Sequence, residues 1–499
     1  MTTLTHAGDT LTRNALAVLQ PGFDGTTAVP DWVRRRIGEG LGSVSLFGRN
    51  VRTAEQVTAL TAQLRAERED LIVAIDEESG DVTRLEVRTG SSYPGNHALG
   101  GVDDTALTRE VAADLGRRLA ACGINFNWAP SADVNANPDN PVIGVRSFGA
   151  DPLLVARHTA AYVEGMQSAG VATSAKHFPG HGDTAVDSHH SVPVIDVDRD
   201  VLNSRDLAPF RAAIAAGTRA VMSAHVLAPA LDPDNPGTIS RRILTGLLRE
   251  EFGYDGLIVT DGMDMQAIAG RYGFERGCVL AVAAGADAIC TGGGPSDEGT
   301  VLRLRDAFVE AVRSGELPEE RLADAAERVR SLAHWAVTSR GPGAGSGGVP
   351  DTGIGLVAAR RALTVTRGET YTAPVTEAPY VASFGAEANI AVGDETPWGV
   401  ADELTRRFPG TESGSHSGAD AGARALAAAG ERRVVAVVRD AHRHAWMADA
   451  VKTLVEARPD TVVVEMGVPQ STPTGALYIA TRGAARVCGE AAAEVIAGE

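Results

Sequence analysis

The chain has 499 residues and a formal net charge of −18, with 44% hydrophobic and 22% charged residues. This composition is ordinary for a globular protein, and the length exceeds that of one ordinary core, so two domains are expected. The negative charge disfavours nucleic acids and anionic membranes as partners, which leaves a neutral small molecule as the expected ligand.

The N-terminus lacks the charged and then apolar layout of a signal peptide, and no apolar run is long enough to cross a bilayer. The four cysteines are widely scattered and show no CxxC spacing, so they predict reduced thiols rather than a disulfide framework. A cytoplasmic protein is therefore expected. The sequence carries no signal for an oligomeric state.

Short apolar runs alternate with Ala-rich amphipathic stretches, which predicts parallel strands joined by helices. The candidate strands are Ala15–Leu19, Ser43–Phe47, Leu71–Ile75, Asn125–Ala129, Val171–Ala175, Ala220–Ala224, Gly256–Thr260 and Ala286–Cys290. The candidate helices between them include Ala54–Glu67, Thr105–Ala121, Pro152–Ser168 and Ser240–Phe252. Eight strands are the number that closes a (β/α)₈ barrel of the TIM type, although an open doubly wound sheet gives the same local pattern.

Polar residues that directly follow the strands favour the barrel. Asp76, the Lys176–His177 pair, His225 and Asp261 each come at the end of an apolar strand run. Barrel enzymes place their chemistry at the carboxyl ends of several strands, whereas an open sheet gathers it mainly at one switch point. The sequence therefore predicts an α/β fold with a catalytic (β/α)₈ barrel over residues 1–338.

The segment 339–350 is rich in glycine and proline and is predicted to be a linker. Beyond it, the apolar runs Arg433–Val438 and Thr461–Glu465 lie near the helical stretches Ala419–Ala429 and Ala445–Ala457. These elements predict a smaller α/β sandwich domain over residues 351–499. This second domain lacks a dense cluster of reactive residues, so the chemistry is expected in the first.

The stretch from Lys176 to His190 concentrates cations, carboxylates and imidazoles around two glycines and a proline. Such residues have little packing purpose, and function concentrates on surface loops of this kind. Asp187 and His189 are two residues apart, so a turn would let the carboxylate hold and charge the imidazole. A solvated loop with chance histidines is the alternative, which the density of ionisable groups disfavours.

From Lys176 to His189 the chain resembles the signature loop of the β-N-acetylglucosaminidase branch of glycoside hydrolase family 3, which reads KHFPGHG and then DTxxDSH. The match continues through Pro193, and further matches follow in the family's order across the predicted barrel domain. They lie at Asp76, at Arg84, in Arg146–Gly149 and in Thr260–Met265. One departure is clear: the family usually shows DQEGG where this chain has DEESG at residues 76–80.

The resemblance implies a retaining, exo-acting β-N-acetylglucosaminidase that needs no cofactor and no metal. It assigns the nucleophile to Asp261 and the acid/base to His189, with Asp187 orienting and charging the imidazole. The substrate would be a short N-acetylglucosamine oligosaccharide, such as chitobiose, or a peptidoglycan fragment. The residues implied to surround the terminal sugar are Asp76, Arg84, Arg146, Lys176 and His177.

These roles agree with the chemistry of the residue types. A retaining glycosidase needs a carboxylate below the anomeric carbon, and Asp261 follows a strand and precedes Gly262, so a ligand can approach closely. Asp264 is a rival, but its position suits the start of a helix. A histidine beside a carboxylate can hold a proton at neutral pH and still release it, as His189 would. His190 occupies a variable position of the motif.

Three other functions stay open. A phosphorylase would use the fact that a histidine acid/base lacks fixed negative charge, so that phosphate meets less repulsion as an acceptor. A metal-dependent barrel hydrolase would use Asp261 with histidines, but no HExxH motif occurs. A non-catalytic sugar-binding module would not need Asp261, Asp187 and His189 together. The histidines available to a metal are His177, His181, His189, His190 and His225.

Overall fold

The structure is a computed structural model that describes residues 2–186, 192–291, 293, 297–341, 343–346, 348, 352–385, 392–393 and 395–499. It divides into two compact units. The first comprises Met1–Glu77, Thr108–Pro141 and Ala150–Pro350. The second comprises Glu78–Leu107, Val142–Gly149 and Asp351–Glu499.

This division differs from the predicted domains 1–338 and 351–499 at two segments. Glu78–Leu107 and Val142–Gly149 precede the predicted linker 339–350, yet both belong to the second unit. The chain therefore leaves the first unit and returns to it twice before the linker. A boundary drawn from Gly/Pro composition does not reveal such excursions, because they depend on packing between distant parts of the sequence.

No helix in the described ranges is long and apolar enough to cross a membrane. The cysteines Cys122, Cys278, Cys290 and Cys488 are buried and free, as their spacing predicts.

A π-helix spans Arg242–Glu251. The α-helices are α1 (Thr2–Ala17), α2 (Asp31–Glu39), α3 (Ala54–Glu67), α4 (Asn96–Val102), α5 (Thr105–Ala121), α6 (Pro152–Ser168), α7 (Arg199–Ser204), α8 (Ala208–Ala215), α9 (Gln266–Tyr272), α10 (Phe274–Ala284), α11 (Glu298–Ser314), α12 (Glu319–Thr338), α13 (Ile354–Ala362), α14 (Ala401–Arg407), α15 (Ala421–Ala429), α16 (Ala445–Ala457) and α17 (Arg486–Ala497).

The first unit is built on parallel strands, which confirms the α/β class. Strands β2 to β7 form a curled six-stranded parallel sheet in chain order, and β1 pairs in parallel with β8. The strands are β1 (Leu19–Gln20), β2 (Ser43–Leu46), β3 (Ile72–Ile75), β4 (Phe126–Asn127), β5 (Ala172–Phe178), β6 (Ala220–Ser223), β7 (Leu257–Thr260) and β8 (Ile289–Cys290).

Two predicted elements need correction. The run Ala15–Leu19 was expected to be a strand, but α1 continues to Ala17 and the strand begins only at Leu19. A short, fully buried apolar run fits a helix as well as a strand, and alanine and leucine favour the helix. In addition, β5 extends to Phe178, so Lys176 and His177 lie within the strand rather than after it.

Alternate residues of these strands pack into one apolar cluster, which defines the inner face of the sheet. Because successive side chains of a strand point to opposite faces, every second residue is drawn into the cluster. Its strand members are Ile72, Ala74, Phe126, Ala172, Ala220, Met222, Leu257, Val259 and Cys290.

The second unit has its own six-stranded sheet, in the order β11-β10-β12-β13-β14-β9. All neighbours are parallel except β9, which runs antiparallel to β14. One apolar cluster joins one face of the sheet to α13, α14 and α17, and another joins the opposite face to α15 and α16. The strands are β9 (Thr364–Arg367), β10 (Tyr380–Phe384), β11 (Glu412–His416), β12 (Val434–Val438), β13 (Val462–Glu465) and β14 (Leu477–Ala480).

Candidate active site

Three of the predicted site residues lie at the carboxyl edge of the first unit's sheet, on its inner face. Ala74 and Val259 belong to the inner apolar cluster, and Asp76 and Asp261 come two residues after them. Because side chains alternate along a strand, both carboxylates are directed to the inner face. Lys176 reaches the same place, since its Nζ donates to Asp76 Oδ1 over 2.5 Å.

The Asp76–Lys176 pair is almost withdrawn from water. The side chain of Lys176 is 2% exposed and that of Asp76 is 16% exposed. A buried ammonium needs a charged partner, because an uncompensated charge in the interior costs several kcal/mol. The pair therefore fixes the direction of both groups and offers a donor and an acceptor side by side, which suits a ligand with vicinal hydroxyls.

His177 is held by Asp133, a residue that the sequence motifs did not single out. Asp133 Oδ2 lies 2.7 Å from His177 Nδ1. Burial alone would raise the pKa of the Asp133 carboxyl, but the neighbouring imidazole and its hydrogen bonds hold that pKa below its ordinary value. The only signal for Asp133 in the sequence was a carboxylate between the apolar residues Ala132 and Val134, shortly after a strand.

Asp261 is half-buried directly after β7, and its Oδ1 accepts from the backbone N–H of Gly262 over 2.7 Å. His225 supports this turn from the neighbouring strand. Its Nε2 lies 2.9 Å from the Gly262 carbonyl oxygen and its Nδ1 lies 2.8 Å from Thr238 Oγ1. Because a carbonyl can only accept, Nε2 donates to it, while Nδ1 shares a hydrogen bond with the threonine hydroxyl. His225 thus orients the peptide that follows Asp261.

An ion-pair network ties down the first part of the motif loop. Arg205 donates from Nη2 to Asp183 Oδ2 over 2.8 Å and from Nε to Asp206 Oδ2 over 3.0 Å. Asp206 is fully buried, and its Oδ1 has no hydrogen-bond partner among the residues that the structure describes. Burial raises the pKa of Asp206 to about 6, although the Arg205 charge acts to lower it. The segment around Asp183 is therefore anchored to the junction of α7 and α8.

We expect Asp206→Asn to weaken the pH dependence of unfolding. The folded-state pKa of Asp206, about 6, lies above the ordinary value of 3.8, so the folded chain binds this proton more tightly than the unfolded chain. That stabilisation is fully present below about pH 3.8 and is lost as the pH rises through about 6. In urea titrations, the wild type should lose up to about 3 kcal/mol of unfolding free energy relative to the variant between about pH 4 and about pH 8.

The exposed Asp200→Asn on α7 is the control for the loss of one carboxylate. A difference between the wild type and Asp206→Asn that stays constant with pH would contradict the assignment.

In the second unit, Arg146 is bound by the carboxylate of Glu78. Arg146 Nε and Nη2 donate to the two Glu78 oxygens over 2.9 and 2.6 Å, while Nη1 donates to the Val142 carbonyl over 3.1 Å. Such a two-pronged pair fixes the plane of the guanidinium. Ser79 has a φ of 70°, in the left-handed region where glycine is favoured, and this is a position where the resembled motif has glycine. Arg84 is half-buried five residues further on.

The predicted site residues are thus found in both units. Asp76, Lys176, His177 and Asp261 lie in the first unit, and the structure brings Asp76 and Lys176 into direct contact. Arg84 and Arg146 lie in the second unit. The predicted acid/base pair, Asp187 and His189, lies outside the described residues, as does His190.

Three of the histidines considered as metal ligands form hydrogen bonds to groups of the protein. His177 contacts Asp133, His181 Nδ1 lies 2.8 Å from Thr184 Oγ1, and His225 contacts Thr238 and Gly262 as described. Within the described part of the chain, no group of three or more His, Cys, Asp or Glu side chains could hold a metal ion. The metal alternative therefore finds no candidate site there.

Comparison with known proteins gives consistent matches. The model of the glycosyl hydrolase family 3 N-terminal domain matches residues 22–332. A solved family 3 β-N-acetylglucosaminidase from Paenibacillus sp. str. FPU-7 superimposes with a TM-score of 0.87 and 34% identity, covering 98% of this chain and 96% of that one. The β-hexosaminidase A of Pseudoalteromonas piscicida is 35% identical over 316 residues, which are 58% of this chain but only 53% of that protein. A β-hexosaminidase of Alkalilimnicola ehrlichii is 35% identical over 294 residues, 58% of this chain and 84% of its own.

Proposed function

The chain belongs to glycoside hydrolase family 3, and we propose that it is a β-N-acetylglucosaminidase that releases terminal β-linked N-acetylglucosamine with retention of configuration. The observation that carries the proposal is the carboxyl edge of the first unit's sheet, where Asp261 and the Asp76–Lys176 pair share the inner face. The β-hexosaminidases and the β-N-acetylglucosaminidase that resemble the chain support this sugar class.

In the first half of the reaction, a carboxylate oxygen of Asp261 attacks the anomeric carbon. The bond from that carbon to the leaving oxygen breaks, and His189 donates its proton to the leaving oxygen. The product is a covalent glycosyl ester on Asp261. The Gly262 N–H, which already donates to Asp261 Oδ1, holds the carboxylate in one orientation during this step.

In the second half, water attacks the anomeric carbon and the ester bond to Asp261 breaks. His189, now neutral, takes the proton of the water and returns to its starting state. Asp187 orients the imidazole and stabilises its charged form throughout. Two inversions at the anomeric carbon give net retention.

The terminal sugar is bound by charged groups. Sugar hydroxyls donate to the carboxylate oxygens of Asp76 and accept from the ammonium of Lys176. His177 adds an imidazole that Asp133 holds in place. Arg84 and Arg146 complete the set of sugar-binding residues.

We also propose that the strands of the first unit close into the eight-stranded barrel. Two links beyond the sheets support it: the Ser45 N–H donates to the Pro21 carbonyl over 2.9 Å, and the Thr260 N–H donates to the Ala288 carbonyl over 3.0 Å. These bonds join the β1–β8 pair to both edges of the six-stranded sheet. The second unit, with helices on both faces of its sheet, is the smaller α/β sandwich.

A panel of aryl glycosides tests the sugar assignment. We expect turnover of 4-nitrophenyl N-acetyl-β-glucosaminide and little turnover of the matching β-glucoside, with the β-anomer as the first product seen by NMR. Turnover of the glucoside alone would refute the sugar class, and the α-anomer as first product would refute retention. Comparing chitobiose with a peptidoglycan fragment that contains anhydromuramic acid then identifies the preferred natural substrate, which we propose to be a short oligosaccharide of one of these two kinds.

Product analysis at rising phosphate separates hydrolysis from phosphorolysis. Lys176 is paired with the Asp76 carboxylate, and His177 faces the Asp133 carboxylate, so the positive charge that Lys176 offers an anionic acceptor is largely compensated. We therefore expect free N-acetylglucosamine as the main product and only a minor share of the sugar 1-phosphate. Dominance of the 1-phosphate at saturating phosphate would make the enzyme a phosphorylase.

A further inference from the structure

Among the residues that the structure describes, Asp133 makes four hydrogen bonds to groups in and around strand β5, which carries the proposed sugar contacts Lys176 and His177. Its Oδ1 accepts from the backbone N–H groups of His177 and His181 over 3.2 and 2.7 Å. Its Oδ2 accepts from Ser131 Oγ over 3.0 Å and lies 2.7 Å from His177 Nδ1. The fully buried carboxylate of Asp133 therefore binds the side chain of His177 and the backbone at both ends of the turn from His177 to His181.

We propose that Asp133 is a positioning residue for sugar binding, which acts by fixing the ring of His177. The proposal rests on the proposed function, because it takes His177 as a sugar contact. A carboxylate accepts and does not donate, so the Asp133 contact assigns the proton of the imidazole to Nδ1. With the backbone N–H of the same residue also bound, the ring can neither turn over nor move away from β5.

The chemistry of the surroundings favours this role over simple packing. Burying a carboxylate is costly unless it is hydrogen-bonded, and the groups that offset this cost for Asp133 are the Ser131 hydroxyl, the backbone N–H groups of His177 and His181, and the His177 ring. The pKa of Asp133 nevertheless stays below its ordinary value, because the imidazoles of His177 and His181 and the backbone N–H groups offset its burial. The carboxylate is therefore ionised near neutral pH, where it can fix the orientation of the His177 ring.

The variant Asp133→Asn tests the proposal, because it keeps the size of the side chain and removes its charge. With 4-nitrophenyl N-acetyl-β-glucosaminide, we expect kcat/KM to fall on the order of 100-fold, since a small misplacement of a binding group has effects of this size. His177→Ala should give a similar loss. Because both changes remove the same interaction, the double variant should lose little more than either single variant.

Asp287→Asn is the matched control. Asp287 is also fully buried and accepts from the Ile258 N–H and from Arg321, but it precedes β8, at the opposite edge of the strands. This variant should lose stability and keep the kcat/KM of the folded fraction. Losses that add in the Asp133→Asn/His177→Ala double variant, or a folded Asp133→Asn within about twofold of the wild type, would overturn the proposal.

A second measurement works even where Asp133→Asn fails to fold. In wild-type protein labelled with ¹⁵N-histidine, the signals of His177, assigned by their absence in His177→Ala, should show a proton on Nδ1. A ring protonated only on Nε2 would overturn the proposal. This measurement needs no turnover, so its failure is distinct from failure of the proposed function, which the aryl glycoside panel reports on the wild type.

Discussion

Asp261→Ala is expected to lower the kcat for 4-nitrophenyl N-acetyl-β-glucosaminide by roughly 10⁴-fold or more, the scale on which loss of a covalent nucleophile acts in other enzymes. In the proposed mechanism, the variant lacks the group that forms the glycosyl ester but keeps the Asp76–Lys176 pair that binds the sugar. The KM should therefore change much less than kcat. Steady-state kinetics on the purified variant measure both constants.

Adding azide to Asp261→Ala gives a second test of the nucleophile, because removing the carboxylate leaves a space beside the anomeric carbon. Azide can enter it and attack the anomeric carbon in a single displacement, which should restore turnover and yield the α-glycosyl azide. Asp264→Ala is the matched control: Asp264 is also a half-buried carboxylate, three residues away, and its loss should leave kcat within about tenfold. A larger loss for Asp264→Ala than for Asp261→Ala would reverse the assignment of the nucleophile.

His189→Ala is expected to give the second large effect, and its size should depend on the leaving group. With chitobiose the leaving sugar needs a proton, so turnover should fall roughly 10³-fold, within the range for general acid catalysis. A dinitrophenolate leaves without protonation, so glycosylation of Asp261 should stay fast while the return step, which needs the base, becomes slow. Rapid-mixing kinetics should then show a burst of dinitrophenolate followed by slow turnover.

Variants of two neighbouring residues, His190 and Asp187, serve as controls for this experiment. His190→Ala changes an imidazole at a variable position of the motif and should keep near wild-type turnover of chitobiose. Asp187→Asn removes the negative charge that, in the proposed mechanism, stabilises the protonated form of the acid/base, so the alkaline limb of the kcat/KM profile should move to lower pH. An equal loss of activity for both leaving groups in His189→Ala would show that this residue is not the acid/base.

The departure from the family motif at residues 76–80 shows which features of a site can be recognised from a short stretch of sequence. The sequence showed DEESG in place of DQEGG and thereby marked Ser79 as unusual. The structure gives the backbone reason, since Ser79 adopts the left-handed conformation that glycine adopts at no cost. It also gives Glu78 a partner, Arg146, which lies 68 residues away in sequence.

The sequence by itself determined the local elements and the residues of the chemical motif. The helices α3, α5, α6 and α16 have the predicted bounds. Apolar residues recur along the buried face of a helix every three or four residues, so a short stretch of sequence is enough to recognise it. The strands were located from short apolar runs, with two corrections: β5 extends to Phe178, and Ala15–Leu19 is a fully buried apolar run that carries no period to separate helix from strand.

Only the tertiary structure decided which distant groups meet. Asp133 and His177 are 44 residues apart, and Asp76 and Lys176 are 100 apart, so no local spacing predicts that either pair is in contact. The same holds for Glu78–Leu107, which joins the second unit although it precedes the predicted linker. Such contacts follow from the pairing of strands and the burial of charged partners, and these are settled when the whole chain packs rather than within any one segment.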